Sequence, residues 1–88
     1  MHENPVNRCS EVALRSLAWI LGDPARAHRF LDLTGLSPET LRATAAESAT
    51  HRAVLDFLCA HEPDLVGAAE ALGLDPAELA AAREGLAS

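Results

Sequence analysis

The sequence predicts an all-α fold, a compact bundle of five to six short helices forming one domain over residues 1–88, with 1–4 and 87–88 frayed. Three observations predict it. Each of the five prolines follows a residue able to cap a helix: Asn4-Pro5, Asp23-Pro24, Ser37-Pro38, Glu62-Pro63 and Asp75-Pro76. Proline suits the first helical position, where its missing N–H would have had no partner, and Asn, Asp or Ser before it accepts from the free donors of the first turn. Gly22, Gly35 and Gly73 stand where helices should stop. Apolar residues recur at spacings of three and four, and no stretch shows the period of two that a half-buried strand needs.

The first helix is predicted from Pro5 to Leu21, with Cys9, Ala13, Leu14 and Leu17 inward and Arg8, Glu11 and Arg15 outward. Its last turn, Leu17 to Leu21, is apolar on every side, which makes it central to the core or a docking surface. Trp19 falls four residues after Arg15. It is placed to stack under that guanidinium, to pack against a later helix, or to mark an interface.

A second helix spans Pro24 to Thr34, with Ala27, Phe30, Leu31 and Thr34 inward and Arg26, Arg29 and Asp32 outward. The third starts at Pro38, carries Leu41 and Ala45, and fades in the polar stretch from Glu47 to Thr50. The fourth, His51 to His61, is the densest core element through Val54, Leu55, Phe57 and Leu58. A fifth follows Pro63 with Leu65, Ala69 and Leu72, and a sixth follows Pro76 with Leu79, Ala82 and Leu86. The first and fourth are expected at the centre.

Gly35-Leu36-Ser37-Pro38-Glu39-Thr40-Leu41 matches Gly73-Leu74-Asp75-Pro76-Ala77-Glu78-Leu79 at a spacing of 38 residues. Asp23-Pro24 matches Glu62-Pro63 at 39, so the chain reads as two similar three-helix halves, 5–47 and 50–87.

Apolar residues make up 49 % of the chain, but many are alanine, and the aromatics are one Trp and two Phe. Such a core is leucine-based and thin, and folds alone or completes itself in a homodimer. There is no lysine; all seven basic residues are Arg. The net charge of −6 is uneven: residues 1–52 balance six Arg against six acids, while 53–88 set Arg83 against seven. That half repels nucleic acid and anionic membrane and suits a basic partner, or simply water. Asp64, Glu70, Glu78 and Glu84 are expected to stand in water there as one negative surface. The run Leu17–Leu21 is far too short to span a bilayer, and the opening residues show no secretory pattern, so a cytoplasmic location is expected. Cys9 and Cys59 are then expected as free thiols.

Residues 68–79 resemble a DNA-binding helix-turn-helix, with Gly73 at the turn and Leu79 as anchor. Its second helix offers Glu78, Arg83 and Glu84 among alanines, where phosphates and base edges need Arg, Lys, Asn or Gln. Nucleic-acid binding is therefore the alternative reading, carried by this segment or by Arg26, Arg29, Arg42 and Arg52. Those arginines would either converge on one exposed face or pair with Asp32, Glu39 and Glu47. Cys59 and His61 lie two apart, about 200° around a helix, and His51 and His61 lie ten apart, about 15 Å along one, so neither pair shares a metal. The four His are expected at the surface or its boundary. No nucleophile elbow or glycine-rich phosphate loop appears. The sequence thus points to no catalytic residue, metal or cofactor, and to a non-enzymatic interaction or regulatory protein. Its candidate contact residues are Arg15, Trp19, Asp64, Glu70, Glu78 and Glu84.

Three stretches carry a resemblance: Phe30 to Pro38 continuing to Leu41-Arg42, Val54 to Leu58, and Gly73 to Pro76 with Glu78 and Arg83 after it. With these, most of residues 12–84 resembles the bacterial family of unknown function numbered 3572, small helical proteins mostly from alphaproteobacteria. The resemblance implies a compact cytosolic helical protein and assigns no site. It also leads one to expect a bulky aromatic in the fifth helix, where this chain has Gly67-Ala68.

Overall fold

All five prolines lie in the first turn of a helix. The computed structural model describes residues 5–86, with side chains from Arg8 onward, as α1 (Pro5–Leu21), α2 (Pro24–Thr34), α3 (Pro38–Thr44), α4 (Ser48–Cys59), α5 (Glu62–Leu72) and α6 (Pro76–Gly85). The terminal residues expected to fray, the cap at Asn4, and His2 lie outside the described residues. There is no strand among the described residues. The radius of gyration, 12.1 Å, equals the value of about 12 Å for a compact chain of this length.

The caps are built largely as the sequence implies. The Asp23 carboxylate accepts from Arg26 N at 2.9 Å, and Ser37 Oγ accepts from Thr40 N at 3.1 Å. Glu78 Oε1 accepts from Asp75 N at 3.1 Å at the start of α6. At α5 the register differs. Glu62 is the first helical residue and His61 the cap, without a side-chain bond, so Pro63 takes the second position. Gly35 and Gly73 close α2 and α5 at φ +74° and +71°, conformations that a Cβ would strain. Leu74 N and Gly73 N reach back to the carbonyls of Ala69 and Glu70. Gly22 ends α1 without left-handed geometry, through its N–H on Trp19 O at 3.2 Å.

α4 begins at Ser48, three residues before the expected His51, and stops at Cys59, two before the expected end. The polar stretch Ser48-Ala49-Thr50 is thus the first turn of α4. Two bonds to the end of α3 fix it: Thr50 Oγ1 donates to Thr44 Oγ1 at 2.9 Å, and His51 Nε2 donates to Ala45 O at 2.7 Å. His51 is only 3 % exposed, so the expectation of surface or boundary histidines fails there; His28 and His61 are exposed.

α1 packs most extensively on α4 and α6, and α4 also packs on α5 and α6, so α1 and α4 are central as expected. Phe30, Ile20, Val54, Leu55, Leu58 and Leu79 are fully enclosed. The rings of Phe30 and Phe57 meet edge to face with centroids 5.3 Å apart, which links α2 to α4. Leu14, expected inward, is 43 % exposed, because the buried stripe of α1 runs through Ala13, Ser16, Leu17 and Ile20. The two halves share their turn chemistry but differ in packing: α6 lies against α1, α4 and α5, whereas α3 packs extensively on no other helix.

Candidate functional site

On α2 the inward stripe of Ala27, Phe30, Leu31 and Thr34 leaves Leu33 pointing away, and Leu33 is 73 % exposed. It stands at the edge of an open groove of about 740 Å³ between α2 and α4. Arg29, Leu33 and Thr34 form the α2 wall, Ala53 and Asp56 come from α4, and Phe57 and Ala60 continue toward His61. Phe57 is 7 % exposed, the visible edge of a ring otherwise in the core.

The charges around this groove are matched. The Arg29 guanidinium lies 5.2 Å from the Phe57 ring centroid and pairs with Asp64, in the first turn of α5. A carboxylate there also suits the positive end of the helix dipole. Across the groove, Arg83 Nε meets Asp56 Oδ1 at 2.5 Å. That bond and the Asp56 charge push the Arg83 guanidinium further up from its ordinary value. Thr34 spends its hydroxyl on Phe30 O at 2.8 Å. The groove is an apolar surface rimmed by satisfied charges, suited to contact by shape.

Of the residues singled out in the sequence, Arg29 lines this groove and Asp64 pairs with it, while the others fall elsewhere. Trp19 is half-buried in α1; its ring is stacked not by Arg15 but by Arg26, whose Cζ lies 3.6 Å from the centroid. Arg26 also donates to Trp19 O, bending back from α2 to cover the end of α1. Arg15 instead donates to Leu72 O at 3.1 Å. The far edge of the indole rests on α5 at Gly67, where an added Cβ would lie 3.0 Å from Cζ2. The aromatic bulk expected in α5 is therefore delivered by α1.

Asp64 was expected in water and is 7 % exposed, because Arg29 draws it between α2 and α5. Glu70, Glu78 and Glu84 do stand exposed. Arg26 and Arg29 neither join an open cationic face nor pair with Asp32, Glu39 or Glu47. Both are held by Trp19 and Asp64, and Asp32 pairs with His28 at 3.1 Å. Arg42 and Arg52 are exposed. In the segment 68–79 and the helix after it, Leu79 and Ala82 are buried, and Arg83 is engaged with Asp56.

A smaller hollow of about 250 Å³ lies between α1 and α6, with Cys9, Val12 and Glu78 around it. Both thiols are free. No group of three metal-binding side chains occurs among the described residues, and none of their helices is long and apolar enough to cross a membrane.

Leu33 is the feature that the sequence reading passed over. Its signal was available: a bulky apolar residue on the outward face of α2, between Asp32 and the turn. The family described as a protein of unknown function (DUF3572) matches residues 6–88. No curated protein and no solved structure matches the chain.

Proposed function

Because the chain belongs to the DUF3572 family of proteins of unknown function, its role has to be read from its own surface, and we propose that it is a non-enzymatic protein–protein interaction module of the bacterial cytoplasm. The observation that carries this reading is Leu33, 73 % exposed beside the groove floored by Phe57. A leucine so exposed contributes little to the fold, whereas covering it in a complex would contribute at most about 1.5–3 kcal/mol. The polar groups around the groove support contact rather than proton transfer. Arg29 is matched to Asp64 and Asp56 to Arg83, so an apolar occupant strands no charge.

Nucleic-acid binding is weakened, since phosphate recognition needs free cations and two of its four arginines, Arg26 and Arg29, are engaged within the fold, which leaves only Arg42 and Arg52 exposed. The test is affinity capture from a cell extract with the wild-type chain and Leu33→Glu as parallel baits. The reading expects at least one protein retained by the wild type and lost with Leu33→Glu. Identical sets from both baits would rule out the groove as the contact surface.

A further inference from the structure

We infer that the occupant of the α2–α4 groove is a second copy of this chain, bound about a two-fold axis through the groove; the inference rests on the interaction reading above. A two-fold interface uses the same patch on both molecules, so that patch must hold both a projection and the hollow to receive it. This one does. Leu33 projects from the last turn of α2, and beside it the small side chains of Ala53 and Ala60 leave the hollow open above Phe57. A two-fold rotation carries each Leu33 into the hollow of the other molecule.

Charge selects the same patch. The chain carries −6, and the exposed Glu70, Glu78 and Glu84 make the α5–α6 side repel a second copy. Around the groove the signs balance. Arg29 stands on the α2 wall and Asp56 on the α4 wall, each with about 44 % of its side chain still open to water. With the axis running along the groove, the α2 wall of one molecule lies against the α4 wall of the other, so the basic side of each faces the acidic side of its mate rather than its own like charge. The other outward leucines among the described residues, Leu14 and Leu21 on α1, are only 43 % and 45 % exposed, and neither lines the α2–α4 groove or the α1–α6 hollow.

Sedimentation velocity of the full chain from about 1 to 500 μM, a range suited to weak association, tests this. The mass is expected to rise from 9.3 kDa toward twice that value as concentration increases. Leu33→Glu and Ala60→Glu, one on each side of the contact, should each weaken association at least tenfold and keep the wild-type circular dichroism. Leu14→Glu should leave association unchanged. A wild-type chain monomeric throughout, or a dimer indifferent to both groove variants, overturns the inference. So does a monomer carrying a small apolar molecule in the groove by native mass spectrometry. A monomer that still captures another protein through Leu33 overturns the self-association alone; a monomer with no Leu33-dependent capture overturns the interaction reading as well.

Discussion

The indole of Trp19 lies directly on Gly67, so close that a Cβ there would stand 3.0 Å from Cζ2 and 3.2 Å from Cη2. α1 and α5 therefore meet through a large ring and a missing side chain. Gly67→Ala should be near neutral, because about 1 kcal/mol of helix propensity is offset by a comparable crowding penalty. Gly67→Leu cannot be accommodated and should cost about 2 kcal/mol or more, the upper part of the range for overpacking. Trp19 is the sole tryptophan. Its emission should shift to the red in Gly67→Leu and stay put in Gly67→Ala, as read by fluorescence alongside urea unfolding.

Leu58 and Leu33 are both leucines in α-helices, one fully buried and the other 73 % exposed. Leu58→Ala, and likewise Leu55→Ala, should lower stability by roughly 2–4 kcal/mol, as truncations in a closed core do. Leu33→Ala should change monomer stability by less than about 0.5 kcal/mol, as surface substitutions do. Chemical denaturation at low protein concentration checks the contrast.

The Arg29–Asp64 pair spans 35 residues and joins α2 to α5. The side chain of Asp64 is 10 % exposed and that of Arg29 44 %, so the pair is half wet. Asp64→Asn should cost about 1–2 kcal/mol, below the 3–5 kcal/mol of a fully buried pair broken on one side. The difference from wild type should narrow in 1 M salt, where the screening length falls to about 3 Å.

Burial pushes the Cys59 thiol up from its ordinary 9.0; Arg83 pulls it down, while Asp56 and Glu84 push it up again. The thiolate is the reactive form, so native Cys59 should alkylate more slowly at pH 8 than in the unfolded chain. Asp56→Asn should speed the reaction and Arg83→Gln slow it, as followed by peptide mapping that separates Cys59 from Cys9. The same shift makes Cys59 favour the fold at pH values below 9.0, a contribution lost as the pH rises through the folded value.

Local chemistry was legible in the sequence and distant pairing was not. The helix starts after Asp23, Ser37 and Asp75 and the stops at Gly35 and Gly73 are decided by neighbours in the chain, so those boundaries fall where the residues imply. The start of α4 is hidden because Ser48, Ala49 and Thr50 carry no apolar period, and their helix is held by Thr44 and Ala45. Asp64 reads as a solvated acid until Arg29 arrives from another helix, and Arg15 reads as the guanidinium for Trp19 until α2 folds back with Arg26. Spacing within a helix shows which side a residue takes, not which helix will face it. The groove is the intermediate case: Leu33 is visibly out of step with its own stripe, but the hollow beside it belongs to α4.

α3 has seven residues, buries only Leu41, and is tied down by the Thr44–Thr50 and Ala45–His51 bonds. Segments with few buried contacts open at a small fraction of the global free energy. Arg42 sits exposed inside this segment, which makes it the bond where trypsin can cut while the rest of the bundle stands. Because α1 packs on α4 and α6 from the other side of that cut, the pieces 1–42 and 43–88 should remain joined without a covalent link. The fold is thus built so that two separate polypeptides meeting at Arg42 should assemble on mixing and restore it.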